Sequence, residues 1–406
     1  MTERASRVAL KATVLATPFL LGALAVPSGG LFRSAKFRDL RLYRHYGDLL
    51  LGGHVPYRDF FVEYPPGAIP LFAAPSLAPD GAYDAIFKVA MTICSLAAIF
   101  CVAYVLAVQG ASRERIAAAA LFIALVPIAL GPVSLNTYDL WPATLSAGAV
   151  AALVSGRDRL ALVLLGVAAA AKLYAVLLAP LALVWIWRRR RAVTGPLAAF
   201  CVALGVLVIP WVALSPGGVW DSLHSQVGRA LHTESLGASV LLAGDRLGLY
   251  SAHVVLHSPA VSRDLAGGLA HGVATASAVL AVLAALSPVL VALRREVEPG
   301  VLFAASVAGF LAFTKVLSPQ YLVWLIPLVP FDGLVAAVLL VVALALAQSW
   351  YFHYHALWAV GPQVWTLLAR NLVLVALFAV LILELAGRPA LRLARRRAAS
   401  PGSAAA

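Results

Sequence analysis

Apolar runs of membrane-crossing length, separated by short arginine-rich segments, constrain this chain more than any other feature. A bilayer's hydrocarbon core is about 30 Å thick, and an α-helix crosses it in roughly 20 residues. Runs near that length recur from the N-terminus to residue 387. In hydrocarbon every backbone N–H and C=O must be satisfied internally, so such runs fold as helices. The composition agrees, with 62% hydrophobic and 12% charged residues, where soluble domains have about 45–50% and about 25%. This excludes a soluble enzyme, a disordered chain and a disulfide-stapled secreted domain. The net charge of +13 does not indicate a nucleic-acid partner, because the arginines lie between apolar runs, where cytoplasmic loops collect them. Cys94, Cys101 and Cys201 all fall inside apolar runs and read as packing residues. The run 8–27 reads as a span and not as a cleaved signal peptide.

Basic anchors stand at Arg4, Arg7 and Lys11, at Arg113 and Arg115, at Arg157 and Arg159, at 188–191, at Arg294 and Arg295, and at Arg388, Arg392 and 395–397. If all face the cytoplasm, an even number of crossings separates each pair. Residues 160–187 then cross twice and turn near Lys172. Each pass has only about 14 residues, about 21 Å, and needs shielding by the rest of the bundle. The stretch 299–331 likewise turns back near 315–320. The expected fold is an all-α, polytopic transmembrane bundle of about twelve spans, within a range of ten to thirteen. It forms a single integral membrane domain over 1–406 with both termini cytoplasmic. The main outer loops are 28–83 and 214–264, and 387–406 is a basic cytoplasmic tail. Residues 65–79 are too short and proline-rich for an ordinary span and are expected to dip into the membrane.

The nine histidines fall on or near the predicted outer face. Chemistry confined to that face would produce this pattern, although long loops also simply hold more polar residues. The first outer loop carries the strongest signal. Residues 35–64 read AKFRDLRLYRHYGDLLLGGHVPYRDFFVEY. The first half has helical periodicity up to a stop at Gly52-Gly53. On that helix Asp39, Tyr43 and Tyr46 share one face, and Arg38, Arg41 and His45 another. A carboxylate beside aromatic rings suits a sugar, whose hydroxyls need acceptors and whose C–H faces stack on rings. An interfacial helix with snorkelling arginines explains the same periodicity. The second half tips the balance. It packs Arg58, Asp59, Glu63 and four aromatics ahead of Pro65-Pro66-Gly67, in a loop stiffened by proline.

The pattern Asp39…Tyr43…Gly52-Gly53…Pro56-Tyr57-Arg58-Asp59…Glu63-Tyr64-Pro65-Pro66 resembles the first outer loop of glycosyltransferase family 87, which are GT-C-type membrane enzymes. Three further stretches are similar to the family. They are Lys172-Leu173-Tyr174 followed by Pro180, the segment from Arg229 through His232 and Glu234 to Ser239, and the segment from Lys315 through Pro319-Gln320-Tyr321 to Trp324. Together the resemblance covers most of 35–330.

The resemblance implies transfer of a sugar, mannose in the best-known members, from a polyprenyl-phosphate donor to a glycolipid or polysaccharide acceptor of the cell envelope. The reaction would take place on the outer face of the plasma membrane. Acceptor deprotonation requires a carboxylate. The resemblance places that base at Asp39, with Asp59 and Glu63 as the other candidates. Tyr43, Tyr64 and Glu234 are candidates for acceptor binding. The leaving lipid phosphate requires cations in a site of low dielectric, for which Lys172, Lys315, Arg58, Arg229 and His353 are the candidates. Asp139 also reads as a helix cap, and Arg370-Asn371 as a pair that orients a neighbouring helix. No cofactor is expected. The chain has no Asp-x-Asp pair and no spaced His/Cys set, so a divalent metal is not expected either. The apolar surface carries no dimer signal, and the oligomeric state stays open. The rival classes are a secondary transporter or lipid flippase, whose ionisable residues would sit near the midplane, and a non-catalytic scaffold, which needs no buried lysines.

Overall fold

The computed structural model describes residues 2–26, 39–79, 81–189, 191–257, 262–352 and 363–387. Arg38, His353 and the tail 388–406 lie outside the described residues. The chain begins with α1 (Thr2–Ala25), long enough to span and carrying Pro18 within it. Then comes the loop helix α2 (Asp39–Leu51), which ends as the Gly52-Gly53 signal predicts. Gly53 takes φ +88°, a left-handed conformation that glycine adopts without steric cost. Residues 66–77 form short turns around α3 (Ile69–Ala73) and do not span. Gly67 lies so close to Ala170 that a Cβ would stand 2.6 Å from the alanine carbonyl carbon.

The bundle continues with α4 (Tyr83–Val108) and α5 (Arg113–Leu130). Ser112 caps α5 by accepting from the Arg115 N–H, and Gly131 ends it at φ +66°. A short α6 (Val133–Asn136) leads into α7 (Leu140–Val154), α8 (Asp158–Ala171), α9 (Leu178–Arg188) and α10 (Thr194–Leu214). After α11 (Pro216–Val227) and α12 (Leu236–Arg246), the chain returns through α13 (Gly268–Leu286), α14 (Pro288–Arg294), α15 (Pro299–Phe313), α16 (Leu334–Phe352) and α17 (Gln363–Gly387). Five helices among the described residues are long and apolar enough to cross a membrane, and shorter apolar helices lie between them, including the stretches after Lys172 and Ser318 where parity puts the returns.

The short passes lie inside. Every residue of α15 from Pro299 to Gly309 is buried, and Ala168 to Ala171 of α8 are buried. Of the long helices α10 is the most exposed, presenting Val202, Val206 and Ile209 at 64–67%, whereas α4 is half buried. Helices too short to cross alone are thus enclosed by helices that can. The all-α bundle carries one small addition that periodicity does not reveal. Strands β1 (Leu231–His232), β2 (His253–His257) and β3 (Ser262–Ala266) form an antiparallel sheet in the order β1-β3-β2. Leu231 and Leu265 of this sheet pack with Leu242 of α12, Ala270 of α13 and Val364 of α17.

The two ends of the bundle differ in chemistry. Arg115 donates to the carbonyls of Pro330 and Asp332, Gln109 to Glu298, and Arg191 to Asp158. These contacts gather basic segments at one end. The turns at Lys172 and Lys315 lie at the other ends of α8 and α15.

Candidate active site

Four segments meet around the C-terminal end of α8. α2 brings Asp39, the loop behind it brings Glu63 and Tyr64, the start of α7 brings Tyr138 and Asp139, and α8 ends at Lys172. Lys172 is extended, at φ −153° and ψ 123°, so the chain leaves the helix there. Its ammonium lies 3.0 Å from Asp139 Oδ1. It also faces the rings of Tyr138 at 4.4 Å, Tyr321 at 5.3 Å, and Tyr64 and Trp324 at 5.8 Å from their centroids. The Trp324 indole N–H donates to the same Asp139 oxygen at 2.7 Å. Asp139 is fully buried, and its Oδ2 has no hydrogen-bond partner among the described residues. Desolvating both charges is costly, and their attraction, the rings and the indole bond offset that cost only in this fixed geometry.

Asp39 stands in the first turn of α2, partly exposed. Burial raises its carboxyl. The negative charges of Glu63 and Asp139 raise it further and the Lys172 charge opposes them, leaving it pushed up to about 7. A carboxylate poised near neutrality is matched to general-base work. Tyr43 shares the Asp39 face, as the i, i+4 spacing predicts, but it is fully buried. Its ring stacks on Phe72 at 4.3 Å and meets Tyr138 edge-on at 5.7 Å. It therefore packs beneath the cluster and offers no open face to a sugar.

The remaining predicted residues divide into two groups. Asp59 accepts from the Val55 N–H at 2.7 Å and from Arg58 at 2.8 Å. These bonds hold its carboxyl at about 2 and tie both side chains into their own turn. Tyr57 sits in that turn at φ +67°, and its hydroxyl donates to the Tyr64 carbonyl. Glu234 faces inward. Its carboxylate accepts from Arg370 Nη1 at 2.9 Å, and its carbonyl accepts from Arg370 Nη2 and from the Asn371 amide. Arg370 is fully buried, so Arg370-Asn371 latches the sheet lobe onto α17, which is how that pair orients a neighbour. Glu234→Gln keeps an acceptor but removes the charge. It leaves the buried Arg370 without its counter-charge and is expected to lower stability by about 3–5 kcal/mol, seen as a lower Tm in detergent.

Lys315 and Arg229 remain available. Lys315 Nζ donates to the Val227 carbonyl at 2.7 Å and Arg229 to the Ser262 hydroxyl at 3.0 Å. Neither makes an ion pair among the described residues. Burial and the nearby Arg229 charge push the Lys315 ammonium below the ordinary lysine value. Gln226, beside the Val227 carbonyl that accepts from Lys315, donates to the Glu63 carbonyl and so links Lys315 to the loop carrying Glu63 and Tyr64. Among the described residues no three His, Cys, Asp or Glu side chains converge as a metal-holding group. The sequence does not single out Tyr138 or Trp324, and it reads Asp139 as a cap. Their only signals are the Tyr-Asp step ahead of a buried helix and a tryptophan in a motif noted for its lysine.

A family model described as Glycosyltransferase family 87 matches residues 61–319, a stretch that contains Glu63, Asp139, Lys172, Arg229 and Lys315 and begins after Asp39. Among solved structures, the chain is similar to the crystal structure of ArnT from Cupriavidus metallidurans bound to undecaprenyl phosphate. The identity is 17%, with 93% of this chain and 78% of that chain covered and a TM-score of 0.48. No curated protein sequence matches this one.

Proposed function

The chain belongs to glycosyltransferase family 87, and from that premise we propose that it moves mannose from a polyprenyl-phosphate carrier to a cell-envelope glycolipid or polysaccharide. In this reading the Asp39 end of the bundle faces outward from the plasma membrane. The basic ends at 113–115, 157–159 and 188–191, together with both termini, face the cytoplasm.

The observation that carries the reading is the buried Asp139–Lys172 pair, 3.0 Å apart, whose charges together with Glu63 act on Asp39 and leave its carboxyl pushed up to about 7. Asp39 takes the proton of the acceptor hydroxyl as that oxygen attacks the anomeric carbon. The bond from that carbon to the phosphate oxygen breaks, and the carrier phosphate leaves with the electron pair. Lys315 and Arg229 have no carboxylate partner among the described residues and supply the charge that receives it. Lys172 is committed to Asp139 and acts on Asp39 through its field. Glu63, whose charge acts on Asp39, and Tyr64, whose ring faces Lys172, are assigned to the acceptor.

The test is transfer by membranes containing the protein, with polyprenyl-phosphate mannose, arabinofuranose, glucose and galactose offered in turn to envelope acceptors. The expected result is label transfer from the mannose donor alone. Transfer from another of these donors would reassign the sugar, and transfer from none would remove the activity.

A further inference from the structure

We propose that the end of the bundle opposite Asp39 carries a binding site for the phosphate headgroup of an anionic lipid. A wide, open depression of about 770 Å³ lies where α7 ends, α8 begins and α10 begins, lined by Arg157, Arg159 and Arg191 with Asp158, Leu160 and Gly195. The other ends of α7 and α8 carry Asp139 and Lys172, so these helices of 15 and 14 residues set the two sites about 20 Å apart.

The depression has an excess of positive charge. Arg191 is neutralised by Asp158 at 2.8 Å. Arg157 and Arg159 make no ion pair among the described residues and are exposed. The Arg159 guanidinium lies against Gly195, where a Cβ would stand 3.1 Å from Nε, so the glycine lets it pack close to the backbone of α10. Two unneutralised guanidiniums at such a depression match the several oxygens of a phosphate.

A topological bias toward arginine accounts for basic loops but not for a depression among them. Basic pockets between membrane helices take anionic headgroups. Continuity with the lipid-facing surface favours a lipid over a free anion. Leu160 and Leu197 beside the depression are exposed. Below them the same helix, α10, presents Val202, Val206 and Ile209 outward. A headgroup seated between Arg157 and Arg159 would thus lay its acyl chains along α10.

The test uses the purified full-length protein in neutral detergent, with phosphatidylglycerol, phosphatidylcholine and inorganic phosphate as probes. Bound lipid is counted by native mass spectrometry and stability is read as Tm. Phosphatidylglycerol is expected to bind and raise Tm, while phosphatidylcholine and millimolar phosphate do neither. In the double variant R157Q/R159Q phosphatidylglycerol is expected to bind about 25-fold more weakly, from roughly a fivefold factor per arginine near an anionic surface. R157K/R159K keeps the charge without the guanidinium fork and is expected to bind more tightly than R157Q/R159Q and more weakly than wild type, and an unchanged Tm without lipid reports that the variants fold. Equal binding of the two lipids, or equal binding by wild type and R157Q/R159Q, would overturn the proposal. Inorganic phosphate matching the lipid would replace the lipid site with a soluble-anion site. Sugar transfer lies at the other end of the bundle and is expected to persist in R157Q/R159Q.

Discussion

Asp39→Asn is expected to cut sugar transfer by about 10²–10⁴-fold, the usual contribution of a positioned general base, while making the folded protein more stable above neutral pH. Both effects come from one carboxyl. Asparagine keeps the size of the side chain and cannot take a proton at neutral pH. The stability effect follows from the raised carboxyl. In the fold Asp39 titrates at about 7, whereas in the unfolded chain it titrates near 4. Between those values the folded state holds a proton that the unfolded state has lost, so stability falls as pH rises through that window. Above about 7 both states are ionised and the full penalty is present. For a partly exposed group the penalty is on the order of 1–4 kcal/mol. Asparagine removes it. The variant should therefore melt above wild type in alkaline buffer and alongside it in acid.

Asp139→Ala is the second large effect. It leaves the Lys172 ammonium without its counter-charge inside the bundle, at a cost of about 3–5 kcal/mol, measured as a loss of Tm in detergent. Lys172→Met leaves Asp139 equally uncompensated. The double variant Asp139→Ala/Lys172→Met removes both charges and is expected to recover most of the stability, because apolar replacements of a buried pair are often near neutral. The same variants move Asp39 in opposite directions. Asp139 raises its carboxyl and Lys172 lowers it. Loss of Asp139 should therefore shift the acid limb of the transfer profile to lower pH, and loss of Lys172 to higher pH. A purely structural pair would produce the stability changes without these opposed shifts.

Local patterns carried much of the fold. The 3.6-residue period and the Gly52-Gly53 stop locate α2, and the parity of basic anchors locates the turn at Lys172, though the helices around it are short. The Asp139–Lys172 pair was not legible, because its members are 33 residues apart and meet only when α7 packs on α8. The Glu234–Arg370 latch spans 136 residues and depends on α17 lying against α12. The sheet was missed because its strands have two to five residues within a polar loop, where no period has room to show. The Asp59 turn was local enough to read. An aspartate four residues after a free N–H can fold back on it, as Asp59 does on Val55, and the density of charge there drew the chemical reading instead.

Asp39 acting as the base of a sugar transfer is tested most directly by the pH dependence of kcat/KM for the purified protein, with polyprenyl-phosphate mannose as donor. The predicted profile rises roughly tenfold per pH unit on the acid side, as a single ionisation requires, and levels off above about 7. That limb is absent from whatever activity Asp39→Asn retains. A profile that is flat across the neutral range, or the same limb persisting in Asp39→Asn, would contradict the assignment of Asp39.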